Sequence, residues 1–334
     1  MGFLAAVAKV LALVIAVAAA LAAALIVVPA LGMKMALLAI VASERSALIA
    51  AGAVVALPLA FFGFTRGRRM PSALAVVLVV AAIGMSVLPL AQARSLAKRR
   101  GVSLDVRRYL QAKIDSDGSE GSGHPNRTVE YATVNGTPLA LDVYLPRQRP
   151  AQPGRPVLMI HGGFWAAGQK GEATLASRRL ADLGFTVFDV QYRISPQPNW
   201  KTATGDVKCA IGWIKQHAET ADWNVDAKKL ALLGRSAGGH LALMAVYAPS
   251  DPELPPSCDV TDTGVEAVIA LYAPTDLAWG YQYPANRWVT DSRAKLRGFL
   301  GGTPQELAGA RPCCPQRALS GPSYAELVGV ILHL

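Results

Sequence analysis

The N-terminal third of the chain consists of long apolar runs separated by short polar breaks. Apolar residues are almost unbroken over 10–32, 46–64 and 72–92. Each run has about the 20 residues that a helix needs to cross the hydrocarbon core of a bilayer. A helix also satisfies its own backbone hydrogen bonds, which lipid cannot do. The pattern therefore predicts a membrane anchor of three transmembrane helices within residues 1–92, with the lipid bilayer as its partner.

A polar stretch follows the third run, and after it the hydrophobic period changes. Residues 93–127 include a Gly/Ser-rich segment at 116–123 and are predicted to be a linker. From 128 to 334, short β-rich runs alternate with helical ones. This alternation predicts an α/β domain, doubly wound around a mainly parallel sheet. The predicted strands are 138–145, 156–160, 186–192, 229–233 and 265–272, and the predicted helices are 174–183, 200–217 and 237–247.

The net charge of +10 supports the membrane interpretation. Nearly all of the excess positive charge lies within residues 1–100, beside the apolar runs, and no basic stripe marks the rest. We therefore expect no nucleic-acid partner. A cleaved signal peptide is the alternative for the first run, but that run is too long and two more follow it.

The basic residues also indicate the orientation of a multi-pass membrane protein. Arg66, Arg68 and Arg69, between the second and third runs, favour the cytoplasmic side for that loop. Three crossings then place the C-terminal domain outside the cytoplasm. Arg94 and Lys98, after the third run, argue for the reverse orientation. We expect the extracytoplasmic side.

The four cysteines show no metal-binding spacing, and we expect no metal and no cofactor. Cys209 and Cys258 lie in the well-patterned domain. Either a disulfide bond, in an exported domain, or two buried thiols would fit them.

The motif with the clearest chemistry begins at Gly234. It continues through Ser236, Ala237, Gly238 and Gly239, after a predicted strand and at the start of a predicted helix. A serine in such a tight turn has strained backbone angles, so its neighbours must be small. The turn presents the hydroxyl at a helix N-terminus, where developing negative charge is favoured.

A second motif, His161-Gly162-Gly163, directly follows the strand at 156–160. Two glycines leave backbone N–H groups open towards a substrate. Together with the N–H of Ala237, such groups can stabilise the oxyanion of a tetrahedral intermediate. A Gly-rich turn without function is the alternative. The turn that begins at Gly234 and presents Ser236, called the elbow from here on, lies downstream and argues against it.

In these motifs and their order, the chain resembles the α/β-hydrolase superfamily, near the hormone-sensitive-lipase-like and arylformamidase-like carboxylesterases. The resemblance covers about residues 128–302. It implies that Ser236 is the nucleophile and that Gly162, Gly163 and Ala237 are the oxyanion donors. It also implies supporting roles for His161, Gly234, Gly238 and Gly239. The matching segments are 161–165, 190–196, Asp206 with Ala210 and Trp213, 234–240 and 272–277.

The acid and base of a triad are harder to find. In this superfamily the order along the chain is Ser, Asp or Glu, then His, and only His240 and His333 follow Ser236. His240 lies in the elbow helix and is expected to pack locally, whereas His333 has no strand before it. Asp276 corresponds to a residue that is usually structural in relatives, and neither Asp291 nor Glu306 has a better claim.

We therefore expect a C-terminally incomplete hydrolase domain. The run at 328–334 is predicted to begin a further strand, and the stretch 307–320, with Cys313 and Cys314, fits the family poorly. The acid and base would then lie beyond Leu334. The chain would be either a fragment or the product of a shift of reading frame after residues 301–304.

The sequence thus predicts a membrane-anchored serine carboxylesterase or lipase-like hydrolase of small lipophilic esters. The acid and base required for turnover are not found in this chain. The alternative is a non-catalytic binding protein, a pseudoenzyme or fragment, that keeps the hydrolase scaffold. A purely integral-membrane protein is disfavoured because the apolar runs hold no clear ionisable site. A peptidase is disfavoured because no residue here recognises a peptide terminus.

Overall fold

A computed structural model describes residues 2–65, 69–99, 101, 103–107, 110, 123–148, 151–218, 223–284 and 290–307. The chain divides into two compact units, one with the N-terminal helices and one with the sheet. The predicted Gly/Ser-rich stretch up to residue 122 lies outside the described residues. So do the predicted strand at 328–334, both Cys313 and Cys314, and His333.

The described residues of the N-terminal unit include four long helices: α1 (Gly2–Val27), α2 (Met33–Glu44), α3 (Ser46–Thr65) and α4 (Arg69–Arg99). The first apolar run does not form one helix, because α1 ends just before Pro29, a residue that disfavours helical angles at the preceding position. The last helix, α4, continues past the third apolar run. Lys98 and Arg99 lie in its final turn, where the negative end of the helix dipole stabilises positive side chains.

Small side chains line the contacts among α1, α3 and α4. The buried cluster consists almost entirely of alanines, such as Ala16, Ala56 and Ala82. Larger apolar side chains, such as Val14 and Val80, are instead exposed on the outside of the unit. Close helix contacts through small residues, with large apolar residues outside, are typical of helices packed in lipid.

Two helical segments, Ala6–Val27 and Met70–Arg99, are long and apolar enough to cross a membrane. A pair of helices, Lys34–Ser43 and Ser46–Phe62, meets the same length and composition only when taken together, and the pair is bent by 73°. The described residues therefore provide two candidate spans, or three if the bent pair counts as one.

The second unit is built on a six-stranded sheet with the order β1-β2-β4-β3-β5-β6. The last four strands in that order are parallel to one another, whereas β1 and β2 pair antiparallel. All five residues of β3 and of β4 are buried, as expected for the centre of a covered parallel sheet. The strands are β1 (Arg127–Val134), β2 (Thr137–Tyr144), β3 (Pro156–Ile160), β4 (Thr186–Val190), β5 (Ala231–Arg235) and β6 (Ala267–Leu271).

Helices cover both faces of this sheet. One face packs Leu158, Ile160 and Leu232 into the main core with α6 and α7, and the other packs Val157 and Met159 against α5. This arrangement confirms the predicted doubly wound α/β fold. The helices are α5 (Thr174–Asp182), α6 (Trp200–His217), α7 (Ala237–Tyr247), α8 (Leu277–Gln282), α9 (Ser292–Leu300) and α10 (Pro304–Leu307).

Two details of the sheet differ from the predicted elements. Strand β1 was not predicted, because Tyr131 is its only fully buried side chain and its apolar signal is weak. Strand β5 starts two residues later than predicted, because Ala227–Lys229 form a 3₁₀ turn in which the side chain of Asp226 accepts from the N–H of Lys228.

The segment between α7 and β6 is fixed to helix α6. Cys209 of that helix forms a disulfide bond with Cys258, which resolves the two alternatives left by the sequence. The neighbouring Lys208 is fully buried. Its ammonium group donates to three carbonyl oxygens of the segment, those of Ala248, Pro249 and Leu254. This segment and α6 are therefore joined by one covalent bond and one buried cation.

Candidate active site

Ser236 occupies the sharp turn between the end of β5 and the start of α7. Its φ of 53° and ψ of −119° are strained for a residue with a side chain. A Cβ at Gly234 would lie 2.3 Å from the carbonyl oxygen of Gly238. A Cβ at Gly238 would lie 2.3 Å from the carbonyl oxygens of Ile160 and His161. The two glycines are therefore required by close backbone contacts.

Backbone hydrogen bonds hold this turn on both sides. The N–H of Ser236 donates to the carbonyl oxygen of Leu271 at the end of β6, at 2.9 Å. The carbonyl oxygen of Ser236 accepts from the N–H of His240 at 3.0 Å, in the first turn of α7. Ala237 is the first residue of that helix, so its N–H has no acceptor within the helix.

The structure brings Gly162 directly against the elbow. A Cβ on Gly162 would lie 3.1 Å from the carbonyl oxygen of Arg235 and 3.3 Å from the Cβ of Ser236. The next residue, Gly163, has a φ of 115°, which favours glycine. The two motifs, far apart in sequence, therefore meet at the ends of the adjacent strands β3 and β5.

The peptide between Gly162 and Gly163 has a fixed orientation. The carbonyl oxygen of Gly162 lies 2.7 Å from Nδ1 of His161 and accepts a long bond, at 3.5 Å, from the hydroxyl of Tyr192. In a planar trans peptide the N–H points opposite to the carbonyl. The N–H of Gly163 is therefore directed away from His161 and Tyr192.

His161 itself is buried beneath this peptide. Its ring stacks on Tyr192 with centroids 4.2 Å apart. Burial lowers the pKa of His161, although its bond to the Gly162 carbonyl opposes the shift. A neutral ring that bonds a carbonyl through Nδ1 must carry its proton on that nitrogen. His161 thus packs beneath the peptide between Gly162 and Gly163 and contacts its carbonyl oxygen.

Two buried carboxylates bind the far end of the loop that follows β3 and contains Gly162 and Gly163. Asp142 and Asp189 are direct cross-strand neighbours on β2 and β4. Asp189 accepts from the N–H of Gly171 at 2.9 Å, and Asp142 accepts from the ammonium of Lys170 at 2.8 Å. Burial raises the pKa of Asp189 to about 6, and the adjacent Asp142 adds to the increase, against the lowering by Gly171, Arg235 and Lys170.

A mainly apolar cleft of about 470 Å³ opens beside Ser236. Ala237, Phe164 and Trp165 line the part contributed by the two motifs. Tyr272 and the α8 residues line a second part, and Ser292, Lys295 and Leu296 of α9 line a third. A cleft of this size and character fits a small ligand that is apolar for most of its length.

Trp165, which lines the cleft, belongs to a buried aromatic cluster that includes His240. Trp165 stacks on Phe299 with centroids 4.3 Å apart, and the buried ring of His240 meets both of them edge-on. Asn199 donates to the carbonyl oxygen of Trp165 at 2.8 Å, which holds that residue in place. This geometry agrees with the expectation that His240 packs locally.

Each of the three acids considered for a triad caps a helix. Asp276 accepts from the N–H of Trp279 at the start of α8, and Asp291 accepts from the N–H of Ala294 at the start of α9. Glu306 forms a reciprocal pair of hydrogen bonds with Thr303, which lower the pKa of the carboxyl group. These contacts are those of N-cap residues and a capping box.

The remaining matched residues hold the chain after β4. The carboxylate of Asp206, fully buried in α6, accepts from the backbone N–H and the guanidinium of Arg193.

Within the described ranges, the hydroxyl of Ser236 makes no hydrogen bond to a histidine ring. The other histidine that follows it, His333, lies outside them.

Comparison with known proteins agrees with this geometry. The sequence profile of the BD-FAE family matches residues 141–313. The probable carboxylic ester hydrolase LipM of Mycobacterium tuberculosis is 34% identical over 182 residues, which cover 54% of this chain and 39% of LipM. Esterase LipC of the same organism is 34% identical over 167 residues, 48% of this chain and 38% of LipC. The match thus spans less than two fifths of either relative.

Among solved structures, the apo form of Thermogutta terrifontis esterase 2 is similar to this chain. It is 25% identical, with a TM-score of 0.46, and the match covers 60% of this chain and 69% of the esterase.

Proposed function

The chain belongs to the BD-FAE family, and from that premise we propose that it is a membrane-anchored serine carboxylesterase that acts on small lipophilic esters. The observation that carries the proposal is the contact between the two motifs. Ser236 has strained backbone angles within van der Waals reach of Gly162. Ser236 lines a mainly apolar cleft of about 470 Å³, which would receive the ester.

The proposed reaction begins with attack of Ser236 Oγ on the ester carbonyl carbon, while the Oγ proton passes to a general base. The carbonyl π electrons move to oxygen, and the N–H groups of Gly163 and Ala237 stabilise the resulting oxyanion. The tetrahedral intermediate collapses, the alkoxide leaves with the proton as an alcohol, and an acyl-enzyme remains. Water then attacks the acyl carbon and gives one proton to the same base. The bond between the acyl carbon and Oγ breaks, Oγ takes that proton, and the carboxylic acid is released.

The N-terminal unit supports the membrane anchor. Two segments of α1 and α4 are long and apolar enough to cross a bilayer, and their outer surfaces carry large apolar side chains. We further propose that the hydrolase domain, from about residue 128, lies outside the cytoplasm, joined to the anchor by the segment at 93–127. The disulfide bond between Cys209 and Cys258 supports that side, because such bonds persist in oxidising compartments.

A second candidate is a non-catalytic binding protein built on the same scaffold. The described residues place no histidine in hydrogen-bond contact with the hydroxyl of Ser236. A serine without a base is a weak nucleophile, although it can still lie in a ligand pocket. This candidate therefore predicts ligand binding in the cleft without turnover.

The deciding experiment measures hydrolysis of 4-nitrophenyl butyrate by the full chain, purified in detergent from washed membranes. We expect turnover that Ser236→Ala reduces by about four orders of magnitude or more. Ser250→Ala, at an exposed serine in the loop after α7, is the matched control and should retain the wild-type rate.

Equal background rates in the wild type and in Ser236→Ala would contradict the esterase. Butyrate binding that survives Ser236→Ala would then favour the binding protein. Recovery of the activity in the supernatant after an alkaline wash of the membranes would contradict the anchor.

A further inference from the structure

Helix α9 contributes two polar side chains to an otherwise mainly apolar cleft. Ser292 and Lys295 are separated by three positions, so they lie on the same face of the helix. Both line the cleft that also contains Ser236, and the apolar Leu296 lies beside them. The cleft therefore combines a hydroxyl and an ammonium group with an apolar wall.

Neither group has an internal partner in the part of the chain that the structure describes. The hydroxyl oxygen of Ser292 is buried without a hydrogen bond. Four of the other described lysines of this unit pair with carboxylates, and Lys208 bonds carbonyl oxygens. Among the described lysines of this unit, Lys228 and Lys295 have neither an ion pair nor a carbonyl partner, and Lys228 is on the surface, outside the cleft.

The other charged residue of the cleft, Asp276, forms no ion pair with Lys295 in the part of the chain that the structure describes. The carboxylate of Asp276 accepts the N–H of Trp279 and serves as the cap of α8. A buried hydroxyl without a partner is unfavourable, because its desolvation is not offset by a hydrogen bond. A ligand that accepts a hydrogen bond from Ser292 and carries negative charge towards Lys295 would satisfy both groups.

We propose that Ser292 and Lys295 form a subsite for a carboxylate at the end of the substrate remote from the ester bond. This proposal rests on the proposed esterase function and makes its substrate class more specific. One ammonium and one hydroxyl match the single charge and two oxygens of a carboxylate. The apolar wall between Ser236 and this subsite suits an aliphatic spacer. The substrate class is therefore a half-ester of an aliphatic dicarboxylic acid, or a similar ester with an anionic end.

The preference for an ester with an anionic end over a neutral one is limited because Lys295 is exposed to solvent. Lys295 is an exposed residue, and exposed ion pairs are weakened by water and salt. We expect the anionic ester to be favoured by about tenfold at low ionic strength, and by less in 0.5 M NaCl.

The test compares two esters of equal chain length in the full chain: mono(4-nitrophenyl) adipate, with a terminal carboxylate, and 4-nitrophenyl hexanoate, with a terminal methyl. The ratio of their kcat/KM values is the readout, after subtraction of the rates of Ser236→Ala. Lys295→Met should lower this ratio about tenfold, and Ser292→Ala should lower it by a smaller factor. Lys228→Met, the same substitution at the other unpaired lysine, should leave the ratio as in the wild type.

A ratio that is the same in the wild type and in Lys295→Met would overturn the subsite. An equal fall in Lys228→Met would also overturn it, because the preference would then follow overall charge. Loss of Ser236-dependent hydrolysis for both esters is a different result and refutes the proposed function. In that case, equilibrium dialysis of monomethyl adipate tests the subsite, which predicts a Kd about tenfold weaker in Lys295→Met and is refuted by equal binding.

Discussion

Removal of the disulfide between Cys209 and Cys258 tests how the second unit, the one built on the sheet, is stabilised. The bond joins residues 49 positions apart. In the chain-entropy description, closing a loop of that length in the unfolded state stabilises the folded state by about 4 kcal/mol. The neighbouring contacts of Lys208 persist without the bond, so the native position of the segment remains defined. The double variant Cys209→Ala/Cys258→Ala should therefore fold and be less stable by about that amount.

The assay is urea unfolding of the full chain in detergent, followed by fluorescence of Trp213 and Trp223, whose rings lie 5.5 Å apart beside α6. With an m-value of about 2 kcal/mol per molar urea, the midpoint should fall by about 2 M. A reductant should lower the wild-type midpoint to that of the double variant and should not change the variant.

An unfolding free energy within about 1 kcal/mol of the wild type would refute the chain-entropy reasoning. Two free thiols in protein taken directly from membranes would contradict an oxidising location for this unit.

Two further predictions concern buried ionisable groups. The pKa of Asp189 is raised from 3.8 to about 6 by folding, so the folded state binds the proton more tightly and the wild type loses stability as the pH rises between these values. Asp189→Asn, whose amide oxygen can still accept from Gly171, should remove this pH dependence and be more stable than the wild type at pH 7.5 by up to about 3 kcal/mol. Urea unfolding at pH 4.5 and pH 7.5 measures this, and an equal difference at both values would contradict it. Lys208→Met should lower the unfolding free energy by about 3 kcal/mol, because carbonyl oxygens lose a charged donor. Lys228→Met is the control, and an equal effect of both substitutions would refute the role of the buried cation.

Much of the fold was predictable because its central elements have strong local signals. The continuous apolar runs of β3 and β4 and the periodic pattern of α6 gave their positions, and α6 and α7 begin and end where predicted. Strand β1 was missed although a signal was present. Asn135-Gly136 between two strand-like runs is a typical two-residue hairpin turn, and both residues have positive φ.

The site was predictable only where a motif is local. The elbow at Ser236 and the segment at Gly162 and Gly163 are short patterns, and the structure places them in contact. The capping role of Glu306 also had a sequence signature, since Thr303 precedes it by three positions. By contrast, the hydroxyl of Tyr192 beneath the Gly162 peptide and the position of Lys295 in the cleft depend on how distant segments pack. No pattern along the chain reports such contacts.

The hydrogen bond from the N–H of Ser236 to the carbonyl of Leu271 has a consequence for the order of assembly. It is a bond between the elbow and the next strand of the sheet. A growing polypeptide that has reached α7 contains the whole elbow sequence but not the acceptor. The strained turn can acquire this support only after β6 has been synthesised and has paired with β5. Formation of the turn at Ser236 is therefore coupled to extension of the sheet, and a nascent chain that stops before Leu271 would contain the serine without the bond that holds its turn.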